Sequence, residues 1–340
     1  MNLLKKIIII LILFMVISMV GYSADKIYTI RIATIYNDPL AEAAGNSLGK
    51  SLAKFTELVK EKTDGRVIIQ PFYGSVLGGQ VETFEQVKRG QLAGFFGQPM
   101  SSVDPRFGAW SIPYLFDNYE EVKRIVSDID GEFFKLSEEW MKDNNCQLIV
   151  IGPSNIRGFA NNKHTVVSIK DLKDLKVRTY QDPVVSLFWS KIAITQPLGW
   201  AETYSALQTK VVNGLEHPLS TFLGSIGELV SYYSDIGWQW TSGANLVVHE
   251  KVWNDLPEDL QKLVREAGIE AMEYQGQQEE ENLEKAMVEL AEQGYEITLL
   301  TDDQRQEWID YGRSLDDEIA KIVGKDVFDA IMNAVEATRK

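Results

Sequence analysis

Few residues of this 340-residue sequence could do covalent or metal chemistry, and their spacing argues against it. Its three histidines, His164, His217 and His249, stand far apart, with no HExxH pair and no acidic EF-hand loop. Cys146 is the single cysteine, which excludes a disulfide framework and any cysteine-built zinc site. No GxSxG elbow, SxxK pair or Cys/His couple marks a nucleophile. Ala44-Gly45-Asn46-Ser47-Leu48-Gly49-Lys50-Ser51 fits a loose phosphate-loop pattern, whose chemistry needs free backbone N–H groups ahead of a helix. Here an apolar helical stripe runs straight through the motif, so Lys50 is expected mid-helix with those groups already used. No apolar strand ending in Asp is present to hold magnesium, and Gly74, Gly78 and Gly79 do not make a GxGxxG turn. Asp and Glu are plentiful, but nothing selects a catalytic pair, and a solvated acidic surface is the simpler reading. With 34 basic against 49 acidic residues, a net charge of -15, the chain lacks the clustered cations that nucleic acid requires. No metal or cofactor is expected, and non-covalent recognition is what remains.

The elements around these residues read as mixed α/β. At 45% apolar and 24% charged, the chain can bury real cores, and its length suits two domains. Lys5 and Lys6, the uncharged run Ile7–Val20 and the small residues Ser23-Ala24 read as a signal peptide cleaved before Asp25. That run falls short of the roughly 20 residues of a bilayer-spanning helix, although a retained anchor is the alternative. Tyr28–Ile35 alternates and predicts a strand, and Leu40, Ala44, Leu48, Leu52, Phe55 and Val59 form a helical stripe over Leu40–Lys62 that Asp64-Gly65 stops. Val67–Phe72 predicts a second strand, Glu82–Arg89 a short helix, and Leu92–Phe96, Gln147–Ile151 and Lys176–Tyr180 further strands. The order suggests an open, largely parallel sheet. Beyond Leu256 a helical region runs to about Glu292, roughly 35 residues against a usual 11–12, long enough to span two lobes. No long linker divides the halves, so the chain is expected to cross between lobes more than once. Trp238, Trp240 and Phe188-Trp189 read as core.

Six segments, taken together, resemble the solute receptors of tripartite ATP-independent periplasmic (TRAP) transporters, the DctP-type family. They are FTELVKEKTDGRVIIQPFYGSVLGG (55–79), EQVKRGQL (85–92), IPYLF (112–116), IKDLKDLKVRTY (169–180), ALQTKVVNGLEHPLS (206–220) and WNDLPEDLQKLV (253–264). The resemblance implies a two-lobed α/β periplasmic binding protein fold with crossing strands, a lobe-spanning helix and a ligand cleft between lobes. It implies lobe I from residues 25–154 and 243–282 and lobe II from 155–242 and 283–340. It also implies an exported receptor, not an enzyme, that binds a small organic carboxylate and delivers it to a membrane permease. A receptor for an ATP-driven importer or a chemosensor is one alternative, and a secreted hydrolase is another.

In the family the arginine ending the K-[IVL]-R strand pairs with the ligand carboxylate, which points to Arg178. A guanidinium offers a planar fork that binds a carboxylate through two parallel hydrogen bonds. From spacing alone, Arg178 reads equally well as a surface charge among Lys170, Lys173 and Lys176. Arg157 matches a second family arginine that assists the carboxylate or ties the hinge. His217 departs from the asparagine that commonly follows the Glu of this motif. Unlike an amide, it can titrate near pH 6.5. Trp200 stands where the family often has Phe and is a candidate floor for the ligand's carbon skeleton. Gln98 and Gln80 match positions near the cleft where relatives may carry acids, with solvated turn glutamines as the alternative. Tyr36 and Asn37, at the end of the first strand, lie where open α/β sheets present ligand loops.

Overall fold

The computed structural model describes residues 26–40 and 47–339. The expected signal segment and Ala44-Gly45-Asn46 of the phosphate-loop-like stretch lie outside the described residues. Chain order begins β1 (Tyr28–Thr34), α1 (Ser47–Lys62), β2 (Val67–Phe72), α2 (Gln80–Lys88), β3 (Gly94–Gly97), α3 (Tyr119–Val126), α4 (Glu132–Asp143) and β4 (Cys146–Ile151). It continues with β5 (Ile156–Asn161), β6 (Lys176–Thr179), α5 (Pro183–Ser190), β7 (Ile194–Pro197), α6 (Thr203–Gln208), β8 (Gly214–His217) and β9 (Tyr232–Trp240). The last part is β10 (Asn245–His249), α7 (Glu250–Asn254), α8 (Glu258–Glu292), β11 (Glu296–Leu299), α9 (Asp302–Arg313), α10 (Asp316–Val323) and α11 (Lys325–Glu336).

The strands form two sheets, one per lobe, in the orders β2-β1-β3-β10-β4 and β11-β9-β5-β8-β6-β7. The first starts as predicted, with β1 parallel to β2 and β3. Parallel pairing recurs in the second sheet, where β6 is parallel to β7 and β8 and β11 to β9, but β10 and β5 depart from it. Strand β10 returns from the other lobe and runs antiparallel between β3 and β4, and β5 is antiparallel to both β8 and β9. A strand that enters from the far side of the molecule has no helical crossover to orient it, so periodicity in the first half could not foretell its direction.

The first lobe closes over Ile30 and Ile32 of β1, Leu52, Phe55 and Val59 of α1, and Leu260 and Val264 of α8. Helix α1 ends where Asp64 (φ 50°) and Gly65 (φ 75°) turn left-handed, and the Gly65 N–H caps the Lys60 carbonyl at 2.8 Å. Leu40 is not part of this helix; it sits in a turn, 95% exposed, where it joins no core stripe. Lys50 lies within α1, but as the fourth residue of Ser47–Lys62 it is in the first turn and not at the mid-helix position the apolar stripe implied. In the second lobe Phe188, Trp189 and Trp238 stack in a buried aromatic cluster that reaches Phe107 and Trp110 beside the first sheet. Trp240 is also buried, as expected.

Three connections join the sheets: residues 152–155 between β4 and β5, residues 241–244 between β9 and β10, and the 35-residue helix α8. They converge at Gly152, whose N–H bonds the Ala244 carbonyl at 2.8 Å. A Cβ at Gly152 would lie 2.3 Å from Gln275 Oε1 and 2.7 Å from the Ala244 Cβ, so only glycine permits the approach. Along α8 one buried stripe changes character. Leu260, Val264, Ala267 and Ala271 join the first core, Ala286 and Leu290 join a second-lobe cluster with Leu215 and Phe222, and Gln275, Gly276, Glu279 and Asn282 lie between. The polar middle falls where neither core reaches.

Candidate functional site

A cavity of about 370 Å³ opens between the sheets, a size usual for small-molecule sites. Residues of both lobes and all three connections line it, including Asn155, Thr241 and Gly243 from the two strand connections and Glu279 from α8. The seven residues singled out in the sequence, Asn37, Gln80, Gln98, Arg157, Arg178, Trp200 and His217, all line this one cavity.

Strand alternation positions Arg178. Val177 points into the aromatic core, and its neighbour on β6 therefore faces the cavity. Arg178 is 3% exposed. Its Nε and Nη2 both donate to the Leu198 carbonyl, at 3.2 and 2.8 Å, which leaves Nη1 without a hydrogen bond among the described residues. No carboxylate of the described residues pairs with it. Burial pushes its pKa down to about 10, and the opposing pull of Glu216 is partly cancelled by repulsion from Arg157. The guanidinium centre lies 5.6 Å over the Trp200 ring, and Trp200 in turn packs against the His217 ring with centroids 4.8 Å apart.

Arg157 has a different environment. It stands on β5 beside β8, and its Nη1 reaches Glu216 Oε2 at 2.7 Å, with both side chains buried. Burial works most strongly against the Arg157 charge, but Glu216, Tyr180 and Tyr36 together outweigh it and the net direction of the pKa is upward. Its guanidinium also lies 4.9 Å over the Tyr180 ring. Arg157 Nε and Thr241 Oγ1 are buried atoms with no protein partner among the described residues. The site thus holds one neutralised cation and one unneutralised cation.

His217 ends β8, and its Nδ1 meets Thr221 Oγ1 at 2.6 Å, which leaves Nε2 as its remaining polar ring atom. Burial, reinforced by Arg157 and Arg178, holds its pKa well below the ordinary 6.5, so the unliganded imidazole is neutral at pH 7. The two glutamines belong to an internal network. Gln80 Nε2 donates to the Gln98 carbonyl at 2.9 Å, and Gln98 Nε2 reaches Ser111 and the Tyr180 hydroxyl at 3.4 Å each. Gln239 donates to the same hydroxyl at 2.8 Å. Asn37 is exposed on the loop after β1, beside Gly74.

Sequence reasoning missed Glu279, Glu216 and Tyr180. Tyr36 spans to the other connection, its hydroxyl donating to the Gly243 carbonyl at 2.8 Å. Glu279 is 4% exposed, and one oxygen accepts from Ser47 Oγ at 2.5 Å. Burial pushes its pKa up to about 7, with the Ser47 hydrogen bond pulling the other way. Among the described residues there is no cluster of three or more His, Cys, Asp or Glu side chains able to hold a metal. The arrangement is suited to holding an anion by hydrogen bonds and charge.

Residues 40–321 match the family model described as bacterial extracellular solute-binding protein, family 7, DctP. A "Solute-binding protein" of Chromohalobacter salexigens is 28% identical over 257 residues, 75% of this chain and 76% of that one. The "C4-dicarboxylate-binding periplasmic protein DctP" of Rhodobacter capsulatus is 25% identical over 294 residues, 84% of this chain and 86% of the relative. Among solved structures, the sugar acid binding protein DctPAm of Advenella mimigardefordensis, crystallised with galactonate, superposes with a TM-score of 0.82 at 23% identity. The match covers 92% of this chain and 99% of that one.

Proposed function

Since the chain belongs to family 7 of the bacterial extracellular solute-binding proteins, we propose that its cavity captures a small organic carboxylate for delivery to a TRAP-type membrane permease. The observation that carries this reading is Arg178, a buried guanidinium with no ion-pair partner among the described residues, lining a cavity between two lobes. A carboxylate placed against its Nη edge supplies the missing countercharge, in a setting where a charge-assisted hydrogen bond gains strength over water. Trp200 and His217 flank that position. Arg157, held by Glu216, orients the second lobe's side of the cavity and offers its unused Nε. Gln80 and Gln98 place Tyr180 through their network, and Asn37 sits at the rim.

The lobes are residues 25–154 with 243–282 and residues 155–242 with 283–340, hinged at the three connections. Ligand contact with both lobes shifts the hinge equilibrium toward closure. The receptor acts outside the cytoplasm, leaves its solute chemically unchanged, and reaches its compartment through the N-terminal signal segment.

A carboxylate panel read by thermal shift and then by titration calorimetry tests the reading, since a cleft ligand raises the melting temperature by mass action. Arg178→Lys should bind the hit at least tenfold more weakly, because an ammonium cannot reproduce the two-pronged contact. Unchanged affinity in Arg178→Lys, or turnover of the hit, would sink the proposal.

A further inference from the structure

Among the described residues, Glu279 is the one acid that lines the cavity. It sits in the polar middle of α8, is 96% buried by complement of its 4% exposure, and has no Lys, Arg or His partner within ion-pair distance among the described residues. Its carboxylate is held by the Ser47 hydroxyl from the start of α1, and its own carbonyl accepts from Asn155 Nδ2 at 3.5 Å. These contacts belong to the first lobe and the hinge. Those around Arg178, namely Leu198, Trp200 and His217, belong to the second lobe. The groups that act most strongly on Arg178 are Glu216, Arg157, Tyr180 and Glu202. The cavity therefore presents an unpaired cation at one wall and an unpaired carboxylate at another.

From this placement we infer that Glu279 is a specificity-determining residue: it accepts a hydrogen bond from a donor on the end of the ligand remote from the carboxylate held by Arg178. The inference rests on the carboxylate-receptor reading and narrows it to hydroxylated monocarboxylates. A hydroxyl meeting the Glu279 carboxylate satisfies a buried acceptor with a charge-assisted bond. A second carboxylate brought to the same wall would face a like charge in a poorly hydrated cavity, and such repulsion is the usual means of rejecting a near-isostere. An unsubstituted alkyl end would offer that carboxylate no donor while displacing water from it.

The effect should fade as Glu279 takes up a proton, which its elevated pKa of about 7 places in an accessible range. The other titratable groups facing it hold one state from pH 6 to pH 8. Tyr36 and Tyr119 are raised above the ordinary tyrosine range by burial, and Lys123 beside Glu280 stays cationic. Arg157 and Arg178 remain charged, and His217 is neutral in the unliganded site, so any proton it gains on binding is common to the acids compared.

The test uses the whole mature chain and matched acids of four, five and six carbons. At each length an aldonate, the plain alkanoate and the α,ω-dicarboxylate are titrated calorimetrically at pH 8. At the length that binds best, the aldonate should exceed the dicarboxylate by at least tenfold, and Glu279→Gln should shrink that ratio to within about threefold. In the wild type the ratio should also fall several-fold between pH 8 and pH 6, a readout that needs no variant. Equal binding of dicarboxylate and aldonate by the wild type overturns the inference, as does a ratio untouched by both Glu279→Gln and pH. If acids bind in an Arg178-dependent way yet the ratio fails, only the role of Glu279 falls. If no carboxylate binds, both readings fall.

Discussion

Removing Arg178 should make the unliganded protein more stable while abolishing its binding, and the opposite sign is expected at Arg157. The fall of the Arg178 pKa from 12.5 to about 10, at roughly 1.4 kcal/mol per pH unit, corresponds to about 3 kcal/mol of strain on the charged form in the folded state. Arg178→Met removes that strain and keeps an apolar stem in the space. It also removes two hydrogen bonds, but both fall on the single Leu198 carbonyl, and Leu198 is partly exposed, so water can replace them. Allowing about 1–2 kcal/mol for this loss leaves a net gain of about 1–2 kcal/mol. Arg157→Met instead strands Glu216, a fully buried carboxylate, and breaking a buried pair from one side costs about 3–5 kcal/mol. Thermal and urea unfolding of the two single variants, each without ligand, read the difference directly, and calorimetry on the same samples reads binding. Arg178→Met destabilising the protein as much as Arg157→Met would show that the Arg178 charge is already compensated, and the argument for a ligand at its Nη edge would collapse.

Two titrations give the remaining predictions. A ligand carboxylate seated beside His217 should raise the imidazole's pKa on binding. Affinity should then rise as pH falls through the window between the bound pKa and the free one, which lies well below 6.5. The difference between the wild-type and His217→Asn curves, which cancels the Glu279 titration common to both, should be flat from pH 7 to pH 8 and open toward pH 5 in calorimetry. For Glu279 the folded pKa of about 7 lies above the ordinary 4.5, so its stability contribution is complete below pH 4.5 and is lost as pH rises through 7. Glu279→Gln should therefore gain about 3 kcal/mol over the wild type at pH 8 and almost nothing at pH 4.5, and urea midpoints at the two pH values that shift equally would contradict the burial argument.

How much of this was legible beforehand follows from where each signal resides. Arg178 sits on a strand inside a recognisable segment, Arg157 matches a second family arginine, and the long helix ends at Glu292 as its lack of breaks indicated. Glu279 was invisible for a physical reason. It opens the run Glu279-Glu280-Glu281, which reads as a solvated face, and only its neighbours are solvated: Glu280 pairs with Lys123 and Glu281 is exposed. The available clue was its register with Met272, Gln275 and Asn282, which keeps it on the buried side of α8 through the stretch where the stripe turns polar. Glu216 was hidden similarly, as one residue of a four-residue strand too short to show alternation. The antiparallel insertion of β10 depends on the chain's return from the other lobe, and no local pattern encodes that.

Burying Arg178 and Glu279 without ion-pair partners among the described residues makes the fold less stable than it would be with apolar residues in their places. The rest of the molecule compensates: Glu216 steadies Arg157, a network of glutamines holds Tyr180, and the apolar ends of α8 anchor in separate cores. Such local conflict is what sites under functional demand show. The two uncompensated charges have opposite sign, line one cavity, and rise from walls that belong to different lobes. A molecule carrying a carboxylate at one end and a hydrogen-bond donor at the other relieves both at once, and does so only when the lobes are close enough for it to touch both. The free energy released on binding is then coupled to closure without a dedicated latch, because neither half-site alone can satisfy the ligand. A dicarboxylate relieves Arg178 but aggravates Glu279, so it opposes the closure that a hydroxylated acid promotes. Discrimination between these acids and the hinge equilibrium should accordingly change together: a substitution at Glu279 that admits the dicarboxylate should also let it close the cleft.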